Sequence, residues 1–201
     1  ELMKPSVEEG YLSHSWWYQY VYVDSPGEKS VANDVLQSQL IKTATYPRWI
    51  GNGLYYGMTR YSHVCLTPSW PALKRNENLY LIDHLETLYT EITKLCLIQY
   101  AFVLQLLEDF HTVNITDIEK RYNRYLRYKK ELSLEIVTVQ DQGIEIYQQL
   151  RSGLELDKLE SKLHMAVQQA LDYTHNKKLA TEPTRQPSQT ILTPVTQTLI
   201  K

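Results

Sequence analysis

The chain has 201 residues, 43% hydrophobic and 22% charged, with a formal net charge of −2. That composition is ordinary for a globular protein with a sizeable core, and it excludes collagen-like and strongly polyelectrolyte chains. Near-neutral charge means that nucleic acid or an anionic membrane would have to be met by a local patch, not by the surface as a whole.

In chain order, the first element expected is a strand over Tyr11–Val23, rich in Tyr, Trp and Val, which favour strands. It ends at Asp24-Ser25-Pro26-Gly27, a turn signal. A short amphipathic helix is expected over Val31–Thr43, with Val31, Val35, Leu36 and Leu40 on one side. Pro47 and the cluster Gly51-Asn52-Gly53 break the chain again. Strand character resumes over Leu54–Thr67: Leu54, Tyr56 and Met58 alternate, Tyr61, His63 and Cys65 share one face, and Val64 and Leu66 take the other. Pro68 and Pro71 close this part. Residues 1–72 are therefore expected to form a small α/β head.

From Asn76 the apolar period becomes helical. One face carries Ile82, Leu85, Tyr89, Ile92, Cys96, Gln99, Val103, Leu106 and Phe110, and a neighbouring face carries Leu81, Leu88, Leu95 and Phe102. A helix from Glu77 to Val113 would be about 55 Å long at a rise of ~1.5 Å per residue. Thr116 and Glu119 have the spacing of a capping box opening the next helix. Ile118, Tyr122, Tyr125, Lys129, Leu132, Ile136, Val139, Gly143, Ile146 and Leu150 then follow in alternating steps of four and three. That ladder predicts one continuous helix with an apolar edge covered by a partner helix. Gly153 marks a break or kink, after which Leu156, Leu159, Leu163, Ala166 and Ala170 continue helical spacing to about His175. Residues 73–175 thus predict a long-helix hairpin and stalk, and 176–201 a polar tail rich in Pro and Thr. The fold class expected is α+β, a small α/β head followed by long antiparallel helices.

The strongest local charge signal is Lys120–Lys130, where six basic residues fall in eleven positions, interleaved with Tyr122, Tyr125 and Tyr128. One reading gives Arg121, Arg124 and Arg127 to phosphates and Tyr128 to a stacked base. The other makes the cations a solvated helix face, with the Tyr rings on the packing seam. The acidic end of the preceding helix, Glu108 and Asp109, is expected to pair with this segment. The 16 Tyr, against only 2 Phe, suit half-buried packing, subunit contacts and ligand clefts. Trp16, Trp17, Trp49 and Trp70 predict an aromatic core in the head, or, with Arg48 and Arg60, a stacking pocket.

No sequence motif identifies a reaction. The histidines lack metal-ligand spacing. Cys65 and Cys96 sit in unlike contexts, consistent with a reducing compartment. His63 and Cys65 share a strand face within reach of a Cys–His couple, an arrangement any half-buried strand also contains. The longest uncharged apolar run, Leu95–Leu107, has 13 residues against the ~20 that a membrane span needs. No cofactor is expected.

Two stretches in this order, Gly57-Met58-Thr59-Arg60-Tyr61-Ser62-His63-Val64-Cys65-Leu66-Thr67 before the long apolar helix and Val139-Gln140-Asp141-Gln142-Gly143-Ile144-Glu145-Ile146-Tyr147-Gln148-Gln149-Leu150 after the Tyr/Arg-rich one, resemble the cytosolic part of CorA-like divalent cation transporters and their relatives. The family's Gly-Met-Asn pore signature and its two membrane helices have no counterpart here. The resemblance implies a non-enzymatic cytoplasmic sensor or regulatory module. It would bind a small charged ligand, a divalent cation or a nucleotide signal, and relay the event through helix packing in a homo-oligomer. Membrane contact is expected only if the native chain continues beyond Lys201. The alternative is a soluble RNA- or nucleotide-binding protein. Candidate ligand-binding residues are Arg60, Arg121, Arg124, Arg127 and Tyr128, with no metal site.

Overall fold

The computed structural model describes residues 15–25, 31–66, 83–111 and 117–181. The Pro26-Gly27 half of the first turn, the prolines at 68 and 71, Trp70, the start of the long helix before Asp83, the Thr116 capping box and the tail beyond Thr181 lie outside them.

The first element among the described residues is a helix, α1 (Ser15–Tyr22), in place of the expected strand. Its Tyr, Trp and Val residues have strand propensity, but Trp17, Tyr18 and Val21 are buried at helical spacing. Tyr18 and Tyr22, one turn apart, stack at 4.7 Å. Burial of that face overrides a weak local preference. A second helix, α2 (Asp34–Ala44), forms where expected. Asn33 caps it by accepting from the Leu36 amide at 3.0 Å. Its register differs from expectation: Gln37, Ile41 and Ala44 face inward, while Val35 and Leu36 face solvent.

Three short strands follow, β1 (Thr45–Tyr46), β2 (Tyr55–Met58) and β3 (His63–Leu66), in an antiparallel sheet of that order. Tyr46 pairs with Tyr56, Tyr56 with Cys65, and Met58 with His63. The expected alternation is present and gives the sheet two apolar faces. Tyr55, Val64 and Leu66 pack with Trp17, Tyr18, Val21, Ile41, Ala44 and Ile50. Leu54, Tyr56, Met58 and Cys65 pack on the other side with the long helices. Gly57 permits the first contact, because a Cβ there would lie 2.4 Å from a Val21 methyl carbon.

In the helical layer, a π-helical turn (Leu85–Tyr89) runs into α3 (Thr90–His111). The other helices among the described residues are α4 (Ile118–Glu131), α5 (Asp141–Gly153) and α6 (Leu156–Thr181). The α3 core face is the one the sequence predicts: Ile92, Cys96, Gln99, Val103, Leu106 and Phe110 are buried. Leu88, Leu95 and Phe102 pack half-buried beside it. In α6, Leu156, Leu163 and Ala170 are buried as expected, and the helix runs past His175 to Thr181. The result is an α+β protein, mostly helical, with a small antiparallel sheet between α1/α2 and the long helices.

The continuous rod over Ile118–Leu150 is not present. The chain leaves helix at Leu132 and re-enters it at Asp141. Ile136 and Val139, two rungs of the ladder, are 74% and 94% exposed. The β-branched run Ile136-Val137-Thr138-Val139 is a poor helix former, and buried donors hold the break open. Gln99 Nε2 donates to the Leu132 carbonyl at 2.6 Å, and the Tyr147 hydroxyl donates to the Leu134 carbonyl at 2.7 Å. Gly143 sits inside α5 and does not end it. A Cβ there would lie 2.6 Å from a Thr138 methyl carbon, so its small size lets the loop cross the helix. The break expected at Gly153 is real: α5 ends there, and Glu155, at φ 52°, turns the chain into α6.

By length and composition, one helix among the described residues, Leu85–His111, is apolar enough to cross a membrane. It is also the central helix of this layer.

Candidate functional site

Two polar arrangements converge on α5. The first is a buried network where α3, α4, α5 and α6 meet. Gln99 is fully buried; its amide donates to the Tyr147 hydroxyl at 2.9 Å, and its carbonyl oxygen accepts from Arg151 Nη1 at 3.3 Å. Arg151 also donates to the Tyr147 hydroxyl at 3.2 Å and to Glu160 Oε2 at 2.9 Å, and it bonds Asp157. The guanidinium lies 5.4 Å from the Tyr147 ring centroid. The Tyr128 hydroxyl donates to the other Glu160 oxygen. The side chains of Arg151 and Glu160 are only 13% and 17% exposed. Burial alone would lower the Arg151 pKa, but Asp157 and Glu160 outweigh it and raise the value. Burial, then Glu160, raises the Tyr128 pKa.

The second arrangement is an open groove of about 680 Å³ where α2 and β1 meet the outward side of α5. Thr43, Tyr46, Arg48, Glu145, Gln148 and Ser152 contribute to its walls. Arg48 holds Glu145 through both carboxylate oxygens, with Nε to Oε2 at 2.8 Å, and the Tyr46 hydroxyl donates to the same carboxylate. The Arg48 hydrogen bonds keep the Glu145 carboxyl below its usual range. Burial, then the Glu145 contact, raises the Tyr46 pKa. Gln149 Nε2 donates to the Thr43 carbonyl at 3.0 Å and closes one wall.

The candidate residues from the sequence are dispersed, and each has a partner within the fold. Arg60 bonds Glu155 at the α5–α6 turn. Arg121 donates to the Asp109 carbonyl; Arg124 bonds the Asp109 carboxylate and donates to Gln105 at 2.9 Å, as expected for pairing with the acidic end of α3. Arg127 pairs with Glu131 at 2.8 Å on the same helix. Glu119, Lys120, Asn123, Arg124 and Arg127 line an open groove of about 520 Å³ on α4. Tyr128 is not placed to stack on a base: it is 1% exposed, stacked on Phe102 at 5.8 Å and inside the core. For Tyr122, Tyr125 and Tyr128 the packing-seam reading is the correct one.

His63 and Cys65 share the expected strand face but form no nucleophilic couple. The His63 ring bonds Thr93 Oγ1 through Nδ1 at 2.7 Å. Because the Thr93 hydroxyl donates to the Tyr89 carbonyl, His63 is the donor in that bond. Burial lowers the His63 pKa to about 4. Burial raises the thiols of Cys65 and Cys96 to about 11 and about 12, against smaller opposing effects of Tyr56 and Arg151, so neither is an activated thiolate. Among the described residues, no group of three or more His, Cys, Asp or Glu is placed to hold a metal ion. Of the tryptophans expected to form an aromatic core in the head, Trp17 is buried there, its Nε1 donating to Thr45 Oγ1 at 2.9 Å, whereas Trp16 is exposed and Trp49 packs with the long-helix cluster.

Sequence reading missed Arg151, Glu160 and Glu145. Only Gln99 carried a signal, as a polar residue in the middle of an apolar helix face. Comparison of the chain with family models, curated proteins and solved structures finds no match.

Proposed function

We propose that this protein is a non-enzymatic ligand-sensing module and that its ligand site is the groove between the small sheet and α5. One observation carries the reading: α5 presents Glu145, Gln148 and Ser152 to the groove and, on another face, Tyr147 and Arg151 to the buried network. A ligand that competes for Arg48 loosens Glu145 and bears directly on the helix whose side chains bond α2, α3 and α6. This is a ligand-dependent shift between helix packings. A guanidinium, amides and hydroxyls suit a small phosphate-bearing molecule of nucleotide size better than a bare divalent cation. The CorA-like resemblance supplies the proposed setting: a cytosolic homo-oligomer in which α3 and α4 act as the hairpin. Relay passes through α5 and its neighbours, not through a continuous stalk.

Calorimetric titration with nucleoside mono- and diphosphates, and with Mg²⁺ alone, tests this. The expected result is phosphate-dependent binding weakened at least ~10-fold by Arg48→Ala. Absence of binding at about 1 mM, or binding indifferent to Arg48→Ala and Gln148→Ala, rejects it.

The exposed groove on α4 favours a second reading, a phosphate backbone or nucleotide held by Lys120, Arg124 and Arg127. It predicts RNA affinity that falls steeply with salt and is lost in Lys120→Ala/Arg127→Ala. Unchanged affinity in that variant rejects it.

A further inference from the structure

We infer that the outer face of α3 is the contact surface for a second copy of this chain, set antiparallel about a two-fold axis at Ala101. This rests on the assembly part of the function proposed above and is independent of the ligand groove. Lys94, Leu97, Ala101, Leu104 and Glu108 follow in steps of three and four, which places them on one strip of the helix. All are exposed, with Ile98 beside them. The opposite face of the same helix is the core of the monomer. The strip therefore leaves a contiguous apolar patch on the long central helix, a feature that marks contact surfaces.

Charge selects the occupant. Lys94 stands about two turns before Ala101, and Glu108 about two turns after it. An antiparallel copy crossing at Ala101 sets Lys94 against Glu108 of the partner subunit, and symmetry repeats the pair. The same operation lays Leu97 beside Leu104 of the partner subunit, with the small Ala101 at the closest approach. Such self-complementarity is what a two-fold contact requires. A parallel copy would oppose like charges. A bilayer fits poorly, because Lys94 and Glu108 lie about 20 Å apart along the strip, inside a hydrocarbon core of about 30 Å. The Lys94–Glu91 pair, at 2.7 Å and well exposed, is weak enough to exchange for the intersubunit one.

The test is sedimentation equilibrium of the full chain from about 10 μM to about 1 mM. Lys94→Glu and Glu108→Lys are expected each to weaken self-association about 10-fold, and Lys94→Glu/Glu108→Lys to restore it to within about 3-fold. Leu97→Ser should abolish it, with circular dichroism confirming that each variant folds. As a second readout, Ala101→Cys should oxidise readily to a disulfide dimer, and Thr87→Cys at the far end of the helix should not. Oligomers that ignore the charge swap overturn this contact and leave assembly standing. A strict monomer across the range overturns both. Co-sedimentation with phosphatidylcholine vesicles that depends on Leu97, without self-association, overturns the inference in favour of a membrane face.

Discussion

At the scale of single residues, the polar groups inside the helical layer are tightly constrained. Arg151 and Glu160 are largely shielded from solvent, and removing Arg151 leaves the Glu160 carboxylate with hydroxyl partners only. Arg151→Met should cost about 3–5 kcal/mol in urea unfolding. Arg151→Met/Glu160→Met should cost less than the single change, since the pair as a whole gains little over apolar packing. His63 gives a pH signature. Its folded pKa of about 4 lies below the ordinary 6.5. Between those values the unfolded chain binds a proton that the native ring refuses, so stability falls as pH drops through that window and is level above it. The loss amounts to about 3 kcal/mol, and His63→Asn should flatten the slope in pH-dependent denaturation. Little of this was legible beforehand. Gln99 stood out because it interrupts an apolar stripe. Arg151 and Glu160 sit among ordinary helical charges, and only the folding of α5 onto α6 shows that they meet, largely shielded from solvent.

At the scale of elements, period was a better guide than propensity. α3 and the β2–β3 pair form where their spacing of apolar residues puts them, because each buries one continuous face. Propensity misled at α1, where strand-favouring side chains are buried at helical intervals. The ladder over Ile118–Leu150 misled for a different reason. Its rungs belong to two helices that bury them separately, and the middle rungs are bare. Ile136→Ser/Val139→Ser should therefore change stability by less than about 0.5 kcal/mol per site, whereas packed rungs would cost about 2 kcal/mol or more each. Tyr147→Phe removes the donor that holds the Leu134 carbonyl and should speed amide exchange across Leu132–Gln140 ahead of the helices.

At the scale of the molecule, the head and the helices are parts of one packed body. Tyr46, Leu54, Tyr56 and Met58 of the sheet region share a single apolar cluster with α3, α5 and α6. The sequence marks a change of character near residue 72, but long-range contacts decide how the two parts meet. A Cβ on Gly153 would come within 3.3 Å of the Thr59 backbone, so the end of α5 sits directly on the β2–β3 turn. Gly153→Val should destabilise by about 1–3 kcal/mol and loosen both parts in one unfolding transition. α5 thus touches the groove, the sheet and the buried network. Amide chemical shifts of Arg48→Ala against the unaltered protein test that linkage most directly. Changes are expected to run from Glu145 through Tyr147 to Leu132–Leu134 and Glu160. Changes confined to the neighbours of Arg48 and Glu145 would contradict it.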